Sequence, residues 1–114
     1  VYMSTSDYIN ENPEIIQSFT NAIYKGQLWV NEHTSEEIAA VILPYFTESD
    51  LETLTGIIER YKAQDTWKTD PIFEKESLEH IEDIMEFGGE LSKRVDFDGF
   101  IDNSFAENTV KNIK

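Results

Sequence analysis

The chain has 114 residues, with 23 acidic against 9 basic side chains and a formal net charge of −14, which is room for one domain or a piece of a larger one. That charge argues against phosphate backbones and anionic membrane surfaces as partners, because no basic run is longer than Lys93-Arg94. A hydrophobic share of 39% excludes a disordered acidic tail, no apolar run is long enough to span a bilayer, and the lack of cysteine excludes disulfides, thiolate catalysis and Cys-ligated zinc.

In chain order, Val1-Tyr2-Met3-Ser4-Thr5 is β-leaning and predicts a short strand ending at Ser6-Asp7. Asn12-Pro13 is a helix-start signal: Asn caps, and proline is preset for the first helical position. Ile15, Ile16, Phe19, Ala22, Ile23, Leu28, Trp29 and Val30 follow at helical spacing, so a long helix is expected from about residue 13 to about residue 32. Thr34-Ser35-Glu36-Glu37 reads as a capping box opening a short helix that Pro44 stops. Thr47-Glu48-Ser49-Asp50 is the next start. Leu51, Leu54, Ile57 or Ile58, and Tyr61 then form an amphipathic stripe.

Ala63 to Lys68 reads as a turn carrying Asp65 and Trp67. Asp70-Pro71 repeats the cap-then-proline start. It opens a helix marked by Ile72, Phe73, Leu78, Ile81, Ile84, Met85 and Phe87, with a kink expected near Ser77, that ends at Gly88-Gly89, where glycine takes the left-handed position without a Cβ penalty. Val95, Phe97, Phe100 and Ile101 form a small apolar patch in a loop or short helix, and a last helix begins at Ser104-Phe105-Ala106-Glu107. The expected fold is mainly α, with about five helices and one short N-terminal strand. The helix starts hold no common period, so the chain is not a repeat array. The lone strand needs a partner for its backbone groups. The chain also starts at Val1 rather than Met. Both features read as a piece of a longer protein, with any signal sequence upstream of Val1.

His33 and His80 have no second histidine or cysteine at ligand spacing. His80 reads as a solvent-facing helix histidine in an acidic patch. Glu79, Glu82, Asp83 and Glu86 lie opposite Leu78, Ile81, Ile84 and Met85 and read as a solvated face rather than a general acid/base pair. The run Asp96-Phe97-Asp98-Gly99 through Asp102 lacks the alternating oxygens and the terminal Glu of a calcium loop. No phosphate-binding, nucleophile-elbow or zinc-protease motif is present. No metal and no cofactor is expected. Trp67 stands out because it sits in the polar turn Gln64-Asp65-Thr66-Trp67-Lys68, where it either lines a cleft or folds back on the adjacent helices. Trp29, near Leu28 and Val30 on the long helix, reads as core.

Ser6-Asp7-Tyr8-Ile9, Glu11-Asn12-Pro13-Glu14-Ile15-Ile16-Gln17-Ser18-Phe19 and Asn21-Ala22-Ile23-Tyr24-Lys25 form one resembling stretch. Glu59 through Trp67, the Asp70-Pro71 restart and Val95 through Ala106 add to it. In this order they resemble the C-terminal third of ABC-transporter substrate-binding proteins of the nitrate/sulfonate/taurine branch, which also includes thiamine-pyrimidine-precursor binders of the type II periplasmic binding fold. The resemblance implies an α/β two-lobed protein of which this chain is the last segment of the first lobe. It implies an extracytoplasmic solute-binding component of an ABC importer, lipid-anchored or periplasmic. The implied partners are a small-molecule solute, such as a sulfonate, nitrate, taurine or a thiamine precursor, and a membrane permease. With half of the cleft missing, the segment is expected to bind solute poorly by itself and to self-associate through Val1 to Thr5 or the Ile15/Phe19/Ile23 stripe.

No catalysis is expected. An enzyme resembling a thiamine-pyrimidine synthase would need a cysteine- and histidine-bearing site and a cofactor lysine, none of which this segment shows. A stand-alone acidic helical interaction module is the third reading. Ligand contacts, if this segment makes any, are expected from the strand end, Ser4 and Thr5, and from the turn, Asp65 and Trp67. These are chosen for polar or aromatic character near element ends; the resemblance does not fix them residue by residue.

Overall fold

Polar caps decide where most of the helices begin. The computed structural model of the chain describes residues 2–113. Thr5 is extended (φ −76°, ψ 149°), and its hydroxyl accepts the Tyr8 N–H at 3.2 Å, opening α1 (Ser6–Glu11). Asn12 closes α1, its side-chain amide donating to the Tyr8 carbonyl at 3.2 Å, and Pro13 begins α2 (Pro13–Glu32). The capping box opens α3 (Ser35–Ile42): Glu37 N–H donates to the Thr34 hydroxyl, and the Thr34 N–H donates to Glu37 at 2.8 Å. Pro44 falls in a single 3-10 turn, Leu43–Tyr45. Asp50 caps α4 (Leu51–Ala63) by accepting the Thr53 N–H at 2.8 Å. Next come α5 (Lys75–Phe87), the one-turn α6 (Phe97–Phe100) and α7 (Ser104–Asn112).

The mainly α fold is borne out, with seven α-helices among the described residues. The N-terminal strand is not. Val1 lies outside the described residues, Tyr2 to Thr5 are neither strand nor helix, and no strand occurs among the described residues. The β-leaning composition was misleading because Thr5 spends its extended backbone on a helix cap. The start at Asp70-Pro71 also moves, to Lys75. Asn103 holds Phe73 in a reciprocal pair: Phe73 N–H donates to Oδ1 and Nδ2 donates to the Phe73 carbonyl, each at 2.9 Å. Both backbone groups of Phe73 are thereby taken from the i→i−4 ladder, and the chain stays irregular until Lys75.

The chain divides into two compact units. One comprises residues 21–70, and the other comprises residues 1–20 together with 71–114. In the 21–70 unit, Ile38 and Ala39 of α3 pack against Leu54 and Ile58 of α4, all at most 4% exposed. Trp29, Val30, Ile42, Leu43 and Leu51 pack around this core, which bears out Trp29 as core. Of the two candidates on the α4 stripe, Ile58 faces inward and Ile57 is exposed.

The second unit has a smaller apolar interior, Leu78 and Ala106, beside buried Glu82 and Thr109. Polar bonds hold it together. Gln17 Nε2 donates to the Phe105 carbonyl at 3.1 Å and to Thr109 Oγ1 at 2.7 Å, while its Oε1 accepts from Asn108 Nδ2 at 2.7 Å. Glu82 Oε1 accepts the Val95 N–H at 2.8 Å, which satisfies the buried carboxylate. Arg94 donates to Asp83 at 2.5 Å and to Glu86 at 2.6 Å. The Arg94 bond holds the Glu86 carboxyl below the usual carboxylate range.

Candidate functional site

Both α4 and α5 end in the same way. After α4, Asp65 N–H donates to the Lys62 carbonyl and Thr66 N–H to the Tyr61 carbonyl, each at 3.1 Å. After α5, Gly89 N–H donates to the Glu86 carbonyl at 3.0 Å and Glu90 N–H to the Met85 carbonyl at 2.9 Å. These are two Schellman caps, each of which needs a left-handed residue one position beyond the cap. Gly89 supplies it at φ +76°. Asp65 supplies it at φ 51°, the one positive-φ residue other than glycine among those described. Left-handed backbone disfavours a Cβ, so the α4 cap keeps a carboxylate where glycine would fit better.

This turn borders an open hollow of about 220 Å³ lined by Val30, Asn31, Lys62, Asp65, Trp67 and Thr69. The Schellman cap places Asp65 and leads the chain back so that Trp67 lies against Tyr61 of α4, ring centroids 5.7 Å apart and tilted by 39°. Trp67 therefore does both things its position suggested: it folds back on α4, and at 37% exposed it still faces the hollow. Gln27 of α2 holds the far end of the turn, donating from Nε2 to the Asp70 carbonyl at 3.0 Å.

Val30 and Asn31 belong to the last turn of α2, and Lys62 belongs to the last turn of α4. Two helix C-termini thus face the hollow, each with the partial negative charge of its final carbonyls. Lys62 answers one of them directly, its Nζ donating to the His33 carbonyl at 2.5 Å, just past the end of α2. His33 stacks on Trp29 (centroids 4.1 Å apart, planes 23° apart), with Nδ1 2.7 Å from the Trp29 carbonyl. A carbonyl can only accept, so Nδ1 carries the proton. The Glu37 carboxyl is held below its ordinary value, first by the Thr34 backbone bond, with His33 and Lys62 adding to the effect.

Of the four residues expected from sequence, Asp65 and Trp67 come together at this hollow. Ser4 and Thr5 belong to the other unit. Thr5 is engaged as the α1 cap, and Ser4 lies exposed before it. Sequence reasoning missed Asn31, Lys62 and Thr69. The signal for the turn was present, since α4 ends with no glycine where α5 ends with two. The polar runs near Asp96 and His80 build no site. Asp96 caps α6 by accepting the Gly99 N–H at 3.2 Å, His80 is exposed, and no group of three His, Cys, Asp or Glu able to hold a metal occurs among the described residues. A second, wider hollow lies along Lys93 to Phe100, but there Arg94 is taken up by Asp83 and Glu86, and Asp96 by its cap. No described helix is long and apolar enough to cross a membrane.

The chain is similar to a protein of Bacillus subtilis (strain 168) named "Putative binding protein YtlA", with 32% identity over 106 residues. The match covers 93% of this chain and 32% of the relative, so the chain spans about a third of that protein's length. No family model matches the chain, and no solved structure matches it. The assignment to the nitrate/sulfonate/taurine branch of the two-lobed periplasmic binding fold is therefore corrected. The relative's name states binding and no branch or solute, and the described residues form a small all-helical structure without the strands of an α/β lobe.

Proposed function

We propose that the chain is a segment of a binding protein for a small solute and that the Asp65–Trp67 hollow is where this segment touches it. One observation carries the reading. Asp65, Trp67, Asn31 and Thr69 converge on a single hollow with their side-chain polar groups unbonded to other described residues. Elsewhere, polar side chains such as Asn103, Gln17 and Glu82 are used to hold the fold. A concave patch with an aromatic wall and a few uncommitted polar groups is the usual make-up of a small-molecule contact. The Bacillus relative's name, a binding protein, supports the same reading.

In the fuller form of the proposal, the protein is an extracytoplasmic solute-binding component of an importer, handing its solute to a membrane permease and performing no catalysis. The experiment is a two-dimensional amide NMR titration of the chain with a panel of small cationic, anionic and neutral solutes. A segment that forms only part of a contact binds weakly, with Kd near 1 mM, about 4 kcal/mol of binding free energy. Shifts clustered at residues 30–31 and 62–69 are the expected result. Shifts that cluster elsewhere, or none across the panel, refute the assignment of this hollow.

A further inference from the structure

We propose that the solute contact at this hollow is selective for a small cation, a protonated or quaternary amine, held by the Asp65 carboxylate and the Trp67 ring. This rests on reading the hollow as the solute contact and adds the class of solute.

Two of the six lining residues are charged. Lys62 is committed, because its ammonium donates to the His33 carbonyl. Lys68, next to Trp67, is itself engaged by a partner. The Asp65 carboxylate makes no bond to a described residue, so of the two charged groups in the lining it is the one left without a bonded partner.

Two further features have the same sign. The hollow is edged by the last turns of α2 and α4, whose C-terminal ends favour cations. The exposed part of Trp67 offers a ring surface, and the face of an indole attracts ammonium groups more strongly than other rings do. Asn31 and Thr69 add acceptor oxygens that an N–H-bearing cation can use. Finally, Asp65 occupies a left-handed position that glycine fills at the matching cap of α5. Aspartate is among the few residues with a Cβ that this backbone tolerates, so the turn can present a carboxylate here where α5 presents none.

The test is an amide NMR titration with three matched probes. Choline is the cation, 3,3-dimethyl-1-butanol is its uncharged isostere, and methanesulfonate is an anion. The protein is used unchanged and as Asp65→Asn, which keeps a residue tolerant of left-handed backbone while removing the charge. Choline is expected to shift the Trp67 indole N–H and residues 62–69. Its affinity should fall about two- to fivefold in Asp65→Asn, for the isostere, and at high salt, as for an exposed cation–π and charge contact. Equal binding of choline and its isostere, no change in Asp65→Asn, or a preference for methanesulfonate overturns the cation inference and leaves the hollow as the solute contact. No shift at the hollow with any probe overturns both.

Discussion

Replacing Asp65 by glycine is expected to stabilise the chain, and replacing Gly89 by alanine to destabilise it, although both residues occupy the same place in the same cap. A residue with a Cβ in left-handed backbone loses roughly 1–2 kcal/mol, with Asp near the low end. Glycine returns part of this gain, because its unfolded chain is freer by roughly 0.5–1 kcal/mol. The net for Asp65→Gly is a stabilisation of about 0.5 kcal/mol. At residue 89 the signs reverse: a methyl group introduces the strain and recovers only about 0.4–1 kcal/mol from the stiffer unfolded chain. Gly89→Ala should therefore cost about 1 kcal/mol. The space around residue 89 is open, with nothing within 4 Å of an added Cβ, so this cost is purely conformational. Urea unfolding followed by helical circular dichroism reads both changes. With a slope of about 1–3 kcal/mol/M, the midpoint rises by about 0.2–0.5 M for Asp65→Gly and falls by about twice that for Gly89→Ala. If Asp65→Gly is neutral or destabilising while Gly89→Ala costs the expected amount, Asp65 is not strained, and the reasoning that singles it out fails.

Leu54→Ala, at the α3–α4 contact, should cost about 2–5 kcal/mol by the same urea measurement; a cost below 1 kcal/mol would show that this core is not what holds the 21–70 unit. Asn103→Ala orphans the Phe73 N–H and carbonyl, with a cost of about 1–3 kcal/mol and faster hydrogen exchange at the Phe73 amide, and unchanged exchange there would refute the clamp. Thr34, Thr53 and Arg94 hold Glu37, Asp50 and Glu86 below their ordinary carboxyl values of 4.5, 3.8 and 4.5. Lowered folded-state values mean that this stability is present above the ordinary values and is lost as pH falls through them and below. Thermal melts of Glu37→Gln between pH 7 and pH 3 should fall less steeply than those of the unchanged chain, and parallel curves would show that Glu37 carries none of the dependence. Ile15 and Phe19, with Tyr2 edge-on to Phe19 at 4.8 Å, form an exposed apolar face. Sedimentation should show concentration-dependent self-association that Phe19→Asp reduces; a monomer at every concentration refutes it.

Where a helix obeys local rules, the sequence was legible. Pro13 at the start of α2, the Thr34–Glu37 box, the Asp50 cap and the Gly88-Gly89 stop all act as their residue types require, and α2 runs over the expected residues, while Asn12 spends its side chain on closing α1. Each of these signals is answered by a partner within about four residues, which is why one sequence can display it. Local rules failed where a distant side chain intervenes. Asn103 is 30 residues from Phe73 and removes the first turn promised by Pro71. Glu82 looked like part of a solvated face and is buried, because Val95, 13 residues on, offers its N–H. The hollow was half legible. Asp65 and Trp67 stood out as an acid and an aromatic in a turn. Asn31 and Lys62 read as ordinary members of their helices until the ends of those helices were brought together.

The strain at Asp65 and the chemistry proposed for it can be separated by experiment, and that separation gives the proposal its force. Asparagine and glycine both remove the charge at residue 65. Asparagine keeps a left-handed residue with a Cβ; glycine removes the strain and makes the chain more stable. If the turn matters only as a cap, glycine is the better residue, as it is at the end of α5, and nothing is lost by the change. If the carboxylate meets a cation, both variants weaken choline binding, and the glycine variant does so while unfolding at higher urea. Weaker binding in a more stable chain cannot be attributed to damage to the fold. It would mean that Asp65 is kept for its charge, at the expense of stability that glycine would have supplied.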